Sequence, residues 1–281
     1  MITNKYLDLI ENNLNKILNS YHNEFRKPIT YSLFGGKMLR GQLLLIGLND
    51  LKINIQLGVD IACALEMIQA YTLVHDDLPG MDDDDYRRGK LSNHKVYGEG
   101  IAILVGDTLL NDAINLISNI NYIEKNILLD IIKIITSKLG GNGMILGQYL
   151  DLTTKGSMVN TFEVTNIRQL KTVNFFELVF IIIGLLSNVE KNEISQLEKI
   201  GNLIGHAFQI KDDLDDHINE KKSDIINNRP TITRVDSLEN IKKTLSKIKN
   251  ECINEIITFF GQGEILTLFE RMFYEYWFKR N

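Results

Sequence analysis

Ile55-Gln56-Leu57-Gly58-Val59-Asp60-Ile61-Ala62-Cys63-Ala64-Leu65-Glu66-Met67-Ile68-Gln69-Ala70-Tyr71-Thr72-Leu73-Val74-His75-Asp76-Asp77 is apolar nearly all the way round a helical projection and then ends in two carboxylates. A helix apolar on every side belongs in an interior. The stretch therefore predicts a central buried helix whose last turn carries charge. Helical spacing recurs on both sides of it. Leu7, Ile10, Leu14, Ile17 and Leu18 share one helix face. Further helical patterns cover about residues 101–120, 122–139, 161–173, 175–187, 194–217, 238–260 and 264–278. No stretch alternates β-branched residues between hairpin turns, so a sheet is not expected. Three prolines in 281 residues leave long helices unbroken. Neither an internal repeat nor a Gly/Ser linker marks a boundary, and the reading is one all-α domain over 1–281.

Composition excludes several classes. With 44% hydrophobic and 24% charged residues and a formal charge of −5, the chain is neither disordered nor a basic nucleic-acid binder. Two cysteines, Cys63 and Cys252, give neither a disulfide scaffold nor a zinc cluster. Acids at Asp8 and Glu11 argue against a secretory or transit peptide. The longest unbroken apolar run, 178–186, is shorter than the roughly 18 residues of a membrane span. A cytoplasmic protein with no membrane span is the expectation.

Beyond the opening helix, six aspartates fall within ten positions: Asp76, Asp77 and Asp82 to Asp85. Carboxylates that close an apolar helix start from a buried wall, where unpaired charge is costly, and they oppose the helix dipole. Cations remove both penalties. Oxygen donors without a cysteine or histidine cage favour Mg²⁺ shared with substrate phosphates. The acid spacing does not match an EF-hand. Arg87 and Arg88 follow at once, and guanidinium forks match phosphate oxygens.

A second cluster reads Gln209-Ile210-Lys211-Asp212-Asp213-Leu214-Asp215-Asp216. Asp212 and Asp216 share a helix face, where like charges destabilise by about 0.2–0.5 kcal/mol unless a metal lies between them. Two such clusters, facing each other across a bundle, are expected to clamp Mg²⁺ and a diphosphate. Together they hold ten of the 36 acids against 31 bases, so the rest of the chain is modestly basic. Cations for an anion are offered by Lys37 and Arg40 in Gly35-Gly36-Lys37-Met38-Leu39-Arg40, at a helix start. Lys171-Thr172 ends another helical pattern, and Gly147-Gln148-Tyr149-Leu150-Asp151 adds an amide and a carboxylate.

In this order along the chain, the basic Gly-Gly-Lys motif, Asp76-Asp77 with Asp82 and Arg87-Arg88-Gly89, Gly106-Asp107, Gly147-Gln148 with Asp151-Leu152, Lys171-Thr172, and Phe208-Gln209 with Asp212-Asp213 and Asp216 resemble the trans-isoprenyl diphosphate synthases, most closely the bacterial farnesyl diphosphate synthases. The resemblance implies an all-α isoprenoid synthase fold around a deep central cavity, a homodimer, and three Mg²⁺ ions, with Mn²⁺ as a substitute. It implies metal binding by Asp76, Asp77, Asp82, Asp212 and Asp216. Arg87, Lys171, Thr172, Gln209 and Lys221 (or Lys222) would hold an allylic diphosphate. Lys37, Arg40, Gln69 and Arg88 would hold isopentenyl diphosphate. Tyr71 and Thr72, just ahead of the aspartates, would set product length. The catalytic set is then Asp76, Asp77, Asp82, Arg87, Lys171 and Asp212. The implied activity is that of a Mg²⁺-dependent prenyltransferase of isoprenoid biosynthesis, a geranyltranstransferase making (2E,6E)-farnesyl diphosphate.

Two departures from the family pattern stand out. Gly41 occupies the usual position of a proline, and the loop after Asp216 is short, retaining only Lys221-Lys222-Ser223-Asp224 and Asn228-Arg229-Pro230-Thr231. Geranyl or geranylgeranyl synthesis and a weakly active or regulatory subunit are alternative readings. Terpene cyclases lack the Lys37/Arg40 pair. A His-Asp metal phosphohydrolase would need more histidines upstream of His75 than His22.

Overall fold

The structure, a computed structural model, describes residues 2–154, 160–218 and 231–277. It is all-α apart from one hairpin of two-residue strands. The chain forms two compact units, Met1–Asn49 with Asn54–Ile132, and Asp50–Ile53 with Lys133–Asn281.

In the first unit the opening stretch is helix α4, Val59–Asp76, if α1, α2 and α3 denote Ile2–Leu18, Asn23–Leu33 and Leu39–Asp50. α4 is buried on most sides, with Ile61, Ala62, Cys63, Ala64, Leu65 and Ile68 fully inside. α1 lays Tyr6, Ile10 and Leu14 inward, at the spacing of one helix face. After α4 come strands β1 (Tyr86–Arg87) and β2 (Lys90–Leu91), then α5 (Asn93–Tyr97) and α6 (Glu99–Ser118). α6 packs along α4. Their approach is close at Gly106, where a Cβ would collide with the His75 ring. α2 was not among the predicted helices, and of α3 only the start near Lys37 and Arg40 was read. α2 carries Pro28 inside it, so one of the three prolines does not break its helix.

α7, Lys125–Leu139, leads into the second unit, which holds α8 (Met144–Thr153), α9 (Thr161–Arg168), α10 (Asn174–Ser187) and α11 (Lys191–Ile218). The helices Ile232–Val235, Leu238–Phe260 and Glu264–Trp277 follow. α9 starts with a capping box between Asn160 and Glu163. The continuous helix expected over 161–173 is broken by a π turn, Gln169–Val173. α10 is apolar all round and buried, and it ends where Asn188 turns left-handed at φ 50°. α11 reaches α10 closely because Gly201 and Gly205 carry no side chains. A Cβ at Gly201 would sit 2.7 Å from the Phe176 carbonyl oxygen, and one at Gly205 3.0 Å from Val173 Cα.

Among the described residues, three helical stretches are long and apolar enough to cross a membrane: Ile55–Asp76, Glu99–Ser118 and Thr161–Ser187. Counting unbroken apolar runs did not find them. In the first and third, 72% of the apolar window is buried inside the protein, which accounts for that character as core.

The buried acid of α10, Glu177, accepts bonds from Gln169 Nε2 and Asn202 Nδ2, both 2.8 Å, and pairs with Lys138. Burial works to raise its carboxyl, but Lys138, Asn202 and Gln169 hold it below its ordinary value. A depressed carboxylate adds stability that is present above its unfolded pKa of about 4.3 and lost as pH falls through the folded value. Against Glu177→Gln, the wild type should melt higher at pH 7, and the gap should close below about pH 4. A gap unchanged down to about pH 3 would contradict this role.

Candidate functional site

The first acidic loop folds back on the helix it leaves. The Asp82 N–H donates to the Asp76 carbonyl at 2.9 Å, which returns Asp82 to the end of α4 beside Asp76 and Asp77. Asp77 and Asp82 are almost wholly buried, at 3% and 4% exposure. Arg87 compensates Asp77: its Nε donates to Asp77 Oδ1 at 2.9 Å, its Nη2 also reaches that oxygen, and Nη2 meets Asp84 Oδ2 at 3.1 Å. Burial alone would lower the Arg87 pKa, but the bond and charge of Asp77 hold it above its ordinary value.

Arg87 owes its position to the hairpin. β1 and β2 are joined through Arg88 and Gly89, both at positive φ (53° and 77°), as a tight primed turn requires. From α2, Tyr31 clasps β2. Its hydroxyl donates to the Leu91 carbonyl at 2.7 Å, and Lys90 Nζ lies 4.0 Å from its ring centre. A small cleft opens here, with Tyr31, Leu73, Asp77, Arg87, Arg88 and Asn93 in its lining.

The structure brings the predicted basic residues of this unit together. The Arg88 guanidinium lies against Gly36, where a Cβ would collide with it, and Nη1 donates to the Ser32 and Phe34 carbonyls, both 3.4 Å. Lys37 is exposed and Arg40 half-buried at the start of α3. The chain enters that helix through Met38 at φ 44°, a left-handed residue buried to 3% exposure. Gln69 is half-buried on α4, and the Thr72 hydroxyl donates to its carbonyl at 2.8 Å. Tyr71 is 8% exposed and stands edge-on to His75, ring centres 5.6 Å apart. His75 is a packed helix residue whose Nε2 lies 3.1 Å from the Ile103 carbonyl.

In the second unit Lys171 sits in the π turn, which re-aims side chains relative to a regular helix. Gly147 of α8 lets the turn approach; a Cβ there would lie 2.6 Å from the Lys171 backbone nitrogen. One helical turn on, Asp151 Oδ2 meets Lys171 Nζ at 2.7 Å. Thr172 is half-buried beside it. Both polar atoms of the Gln148 side-chain amide are buried without a protein partner. Asp213 is occupied from three sides: it pairs with buried Arg168, accepts from Gln209 Nε2 at 2.8 Å, and accepts the Ile232 N–H at 2.8 Å. Asp212 is half-buried on α11. The Asp216 side chain and all of Lys221 and Lys222 lie outside the described residues.

Sequence reasoning gave no role to Arg168, Glu66 or His94, and counted Asp83, Asp84 and Asp85 only as members of the first acidic cluster. The ligand atoms of Asp83, Asp85 and His94 lie within 4.8 Å of one another, with Asp85 paired to Lys95 at 2.7 Å.

Residues 22–258 match the family model described as polyprenyl synthetase. The chain belongs to that family. It is 38% identical over 264 residues to the farnesyl diphosphate synthase of Micrococcus luteus, covering 90% of this chain and 89% of that one. A solved geranyltransferase from Legionella pneumophila superposes with a TM-score of 0.86 at 27% identity, covering 96% of this chain and 94% of that one. A geranyltransferase from Helicobacter pylori, solved with magnesium and isoprenyl diphosphate, gives 0.79 at 25% identity, covering 99% and 98%. Membership of this family makes the polyprenyl synthetase chain an enzyme of the prenyltransferase type and sets aside the His-Asp phosphohydrolase.

The donor set suits the family's metal. Asp76, Asp77 and Asp82 offer oxygen alone, two of them nearly buried, and that is a set for a hard divalent ion such as Mg²⁺. Removing Arg87 would leave Asp77 and Asp84 buried without their cation. Arg87→Ala should cost about 3 kcal/mol in urea unfolding without Mg²⁺. A loss under about 0.5 kcal/mol would contradict the pairing.

Proposed function

We propose that this polyprenyl synthetase condenses isopentenyl diphosphate with dimethylallyl and then geranyl diphosphate, head to tail, giving (2E,6E)-farnesyl diphosphate and releasing diphosphate. The observation that carries the product length is Tyr71. It is buried five positions before Asp76, about one and a half helical turns below the carboxylates, and is backed by His75. A bulky floor at that depth stops the growing chain. The 38% identity to a named farnesyl diphosphate synthase supports the same reading.

Asp76, Asp77 and Asp82, with Asp212 and Asp216, would hold Mg²⁺, three ions in all. When bound, the metal screens the diphosphate and withdraws charge from the breaking C–O bond. Arg87 and Lys171 grip the allylic diphosphate and stabilise it as it leaves, with Thr172, Gln209 and Lys221 completing its contacts. Lys37, Arg40, Gln69 and Arg88 hold isopentenyl diphosphate so that its double bond meets the allylic cation. Apolar walls keep water from capturing that cation. The new C–C bond forms, one proton is lost to the released diphosphate, and a longer allylic diphosphate remains. No side-chain nucleophile takes part.

We extend the reading to a single domain over 1–281, a cytoplasmic location and a homodimer. The exposed apolar face of α6, with Ile101, Ile103 and Leu104 at 38–52% exposure, supports the dimer, since one-third of its apolar window is buried within the chain.

Incubation with Mg²⁺, isopentenyl diphosphate and each allylic primer should yield a fifteen-carbon product, identified by chromatography after dephosphorylation. Condensation with no primer would overturn the proposal. Tyr71→Ala should shift the product to twenty carbons or more, whereas an unchanged length would remove Tyr71 from the role.

A further inference from the structure

Glu66 lies within the buried run of α4 and is 5% exposed. Its Oε1 accepts the Gly41 N–H at 2.7 Å, and its carboxylate also takes the Arg40 backbone N–H. Both donors belong to the first turn of α3, where a helix leaves N–H groups without intrahelical partners. α3 has no acid of its own in that turn. A carboxylate from α4 therefore caps α3 at the point where Lys37 and Arg40 emerge. The charges of Arg40 and Arg88 act on the same carboxylate. Gln69 is three positions further along α4 and so on the same face. Burial pushes the Glu66 carboxyl above its ordinary range, and Gly41, Arg40 and Arg88 offset only part of that rise. Burial lowers the Arg88 pKa, and Glu66 opposes that too.

We propose that Glu66 is a positioning residue for the isopentenyl diphosphate subsite, a buried anion that fixes the start of α3 and gathers Arg40 and Arg88 into one anion-binding patch. This rests on the functional reading above. Burial takes hydration from Arg88, and Arg87 beside it adds like-charge repulsion. The Glu66 anion behind Arg40 and Arg88 offsets these costs, so that both can face a diphosphate. Gly41 is part of the device. At the position where the resembling synthases carry proline, which has no N–H, this chain supplies the donor that Glu66 accepts. The site also leaves little room: a Cβ at Gly41 would lie 2.8 Å from Ile10 Cδ1 and 3.2 Å from Glu66 Cγ.

The test is steady-state kinetics of Glu66→Gln, which keeps an acceptor for Gly41 and removes the charge. The KM for isopentenyl diphosphate should rise on the order of tenfold, the loss expected for charge-assisted contacts. The KM for geranyl diphosphate and kcat should stay near wild type. Glu66→Asp, which keeps the charge at shorter reach, should fall between the two. An unchanged KM for isopentenyl diphosphate, or an equal rise for both substrates, would overturn the proposal. Should the Gln variant not fold, Glu66→Asp decides alone. A selective rise in the isopentenyl diphosphate KM supports the role, and a wild-type value overturns it. If the wild type itself condenses nothing, the functional reading fails and this proposal with it. With an active wild type, only the role of Glu66 is at stake.

Discussion

A carboxylate placed inside an apolar helix wall must have a cation or a set of N–H donors, because the wall offers it no water. This constraint recurs through both units. Asp77 has Arg87, Asp151 has Lys171, Asp213 has Arg168, Glu177 has Lys138, and Glu66 has the first turn of α3. Each pair joins segments distant in sequence, so each also fixes a loop or helix end against the core. The cost of buried charge explains why the acids sit where they do only if the cations are counted with them.

Two of those cations, Arg87 and Lys171, are also the residues assigned to the allylic diphosphate. An anion that draws Arg87 from Asp77, or Lys171 from Asp151, leaves a buried carboxylate uncompensated. A divalent ion held by Asp76, Asp77 and Asp82 would supply the missing charge at Asp77. Metal and diphosphate would then favour each other at the first acidic loop through the same carboxylates. Without substrate, Arg87 already compensates the buried Asp77, and Lys171 the buried Asp151.

Much of this was legible in the sequence. All-round apolarity marked α4 as interior, and the two aspartate clusters marked the helix ends that matter. The fold class followed from helical periodicity, which reports burial directly. What escaped has physical reasons. Glu66 reads as an ordinary helix former, and only tertiary packing shows that its carboxylate faces α3. A π turn leaves no pattern in residues 169–173, and strands of two residues are too short to alternate. The positive φ at Arg88 becomes visible only once Gly89 is recognised as the second half of a tight turn. α2 went unread, and Pro28 stands inside it, an exception to the rule that proline ends helices. Gly41 stands where a proline is usual, and its N–H, absent in proline, ties the entry to α3 to Glu66.

The most direct test is a crystal structure of the chain with Mg²⁺ and a non-ionisable thio analogue of an allylic diphosphate. The exchange of cations described above predicts Mg²⁺ on the carboxylates of Asp76, Asp77 and Asp82, with the Arg87 guanidinium turned from Asp77 to the diphosphate oxygens. A structure with the analogue bound and Arg87 still paired to Asp77, and no ion on these carboxylates, would contradict it.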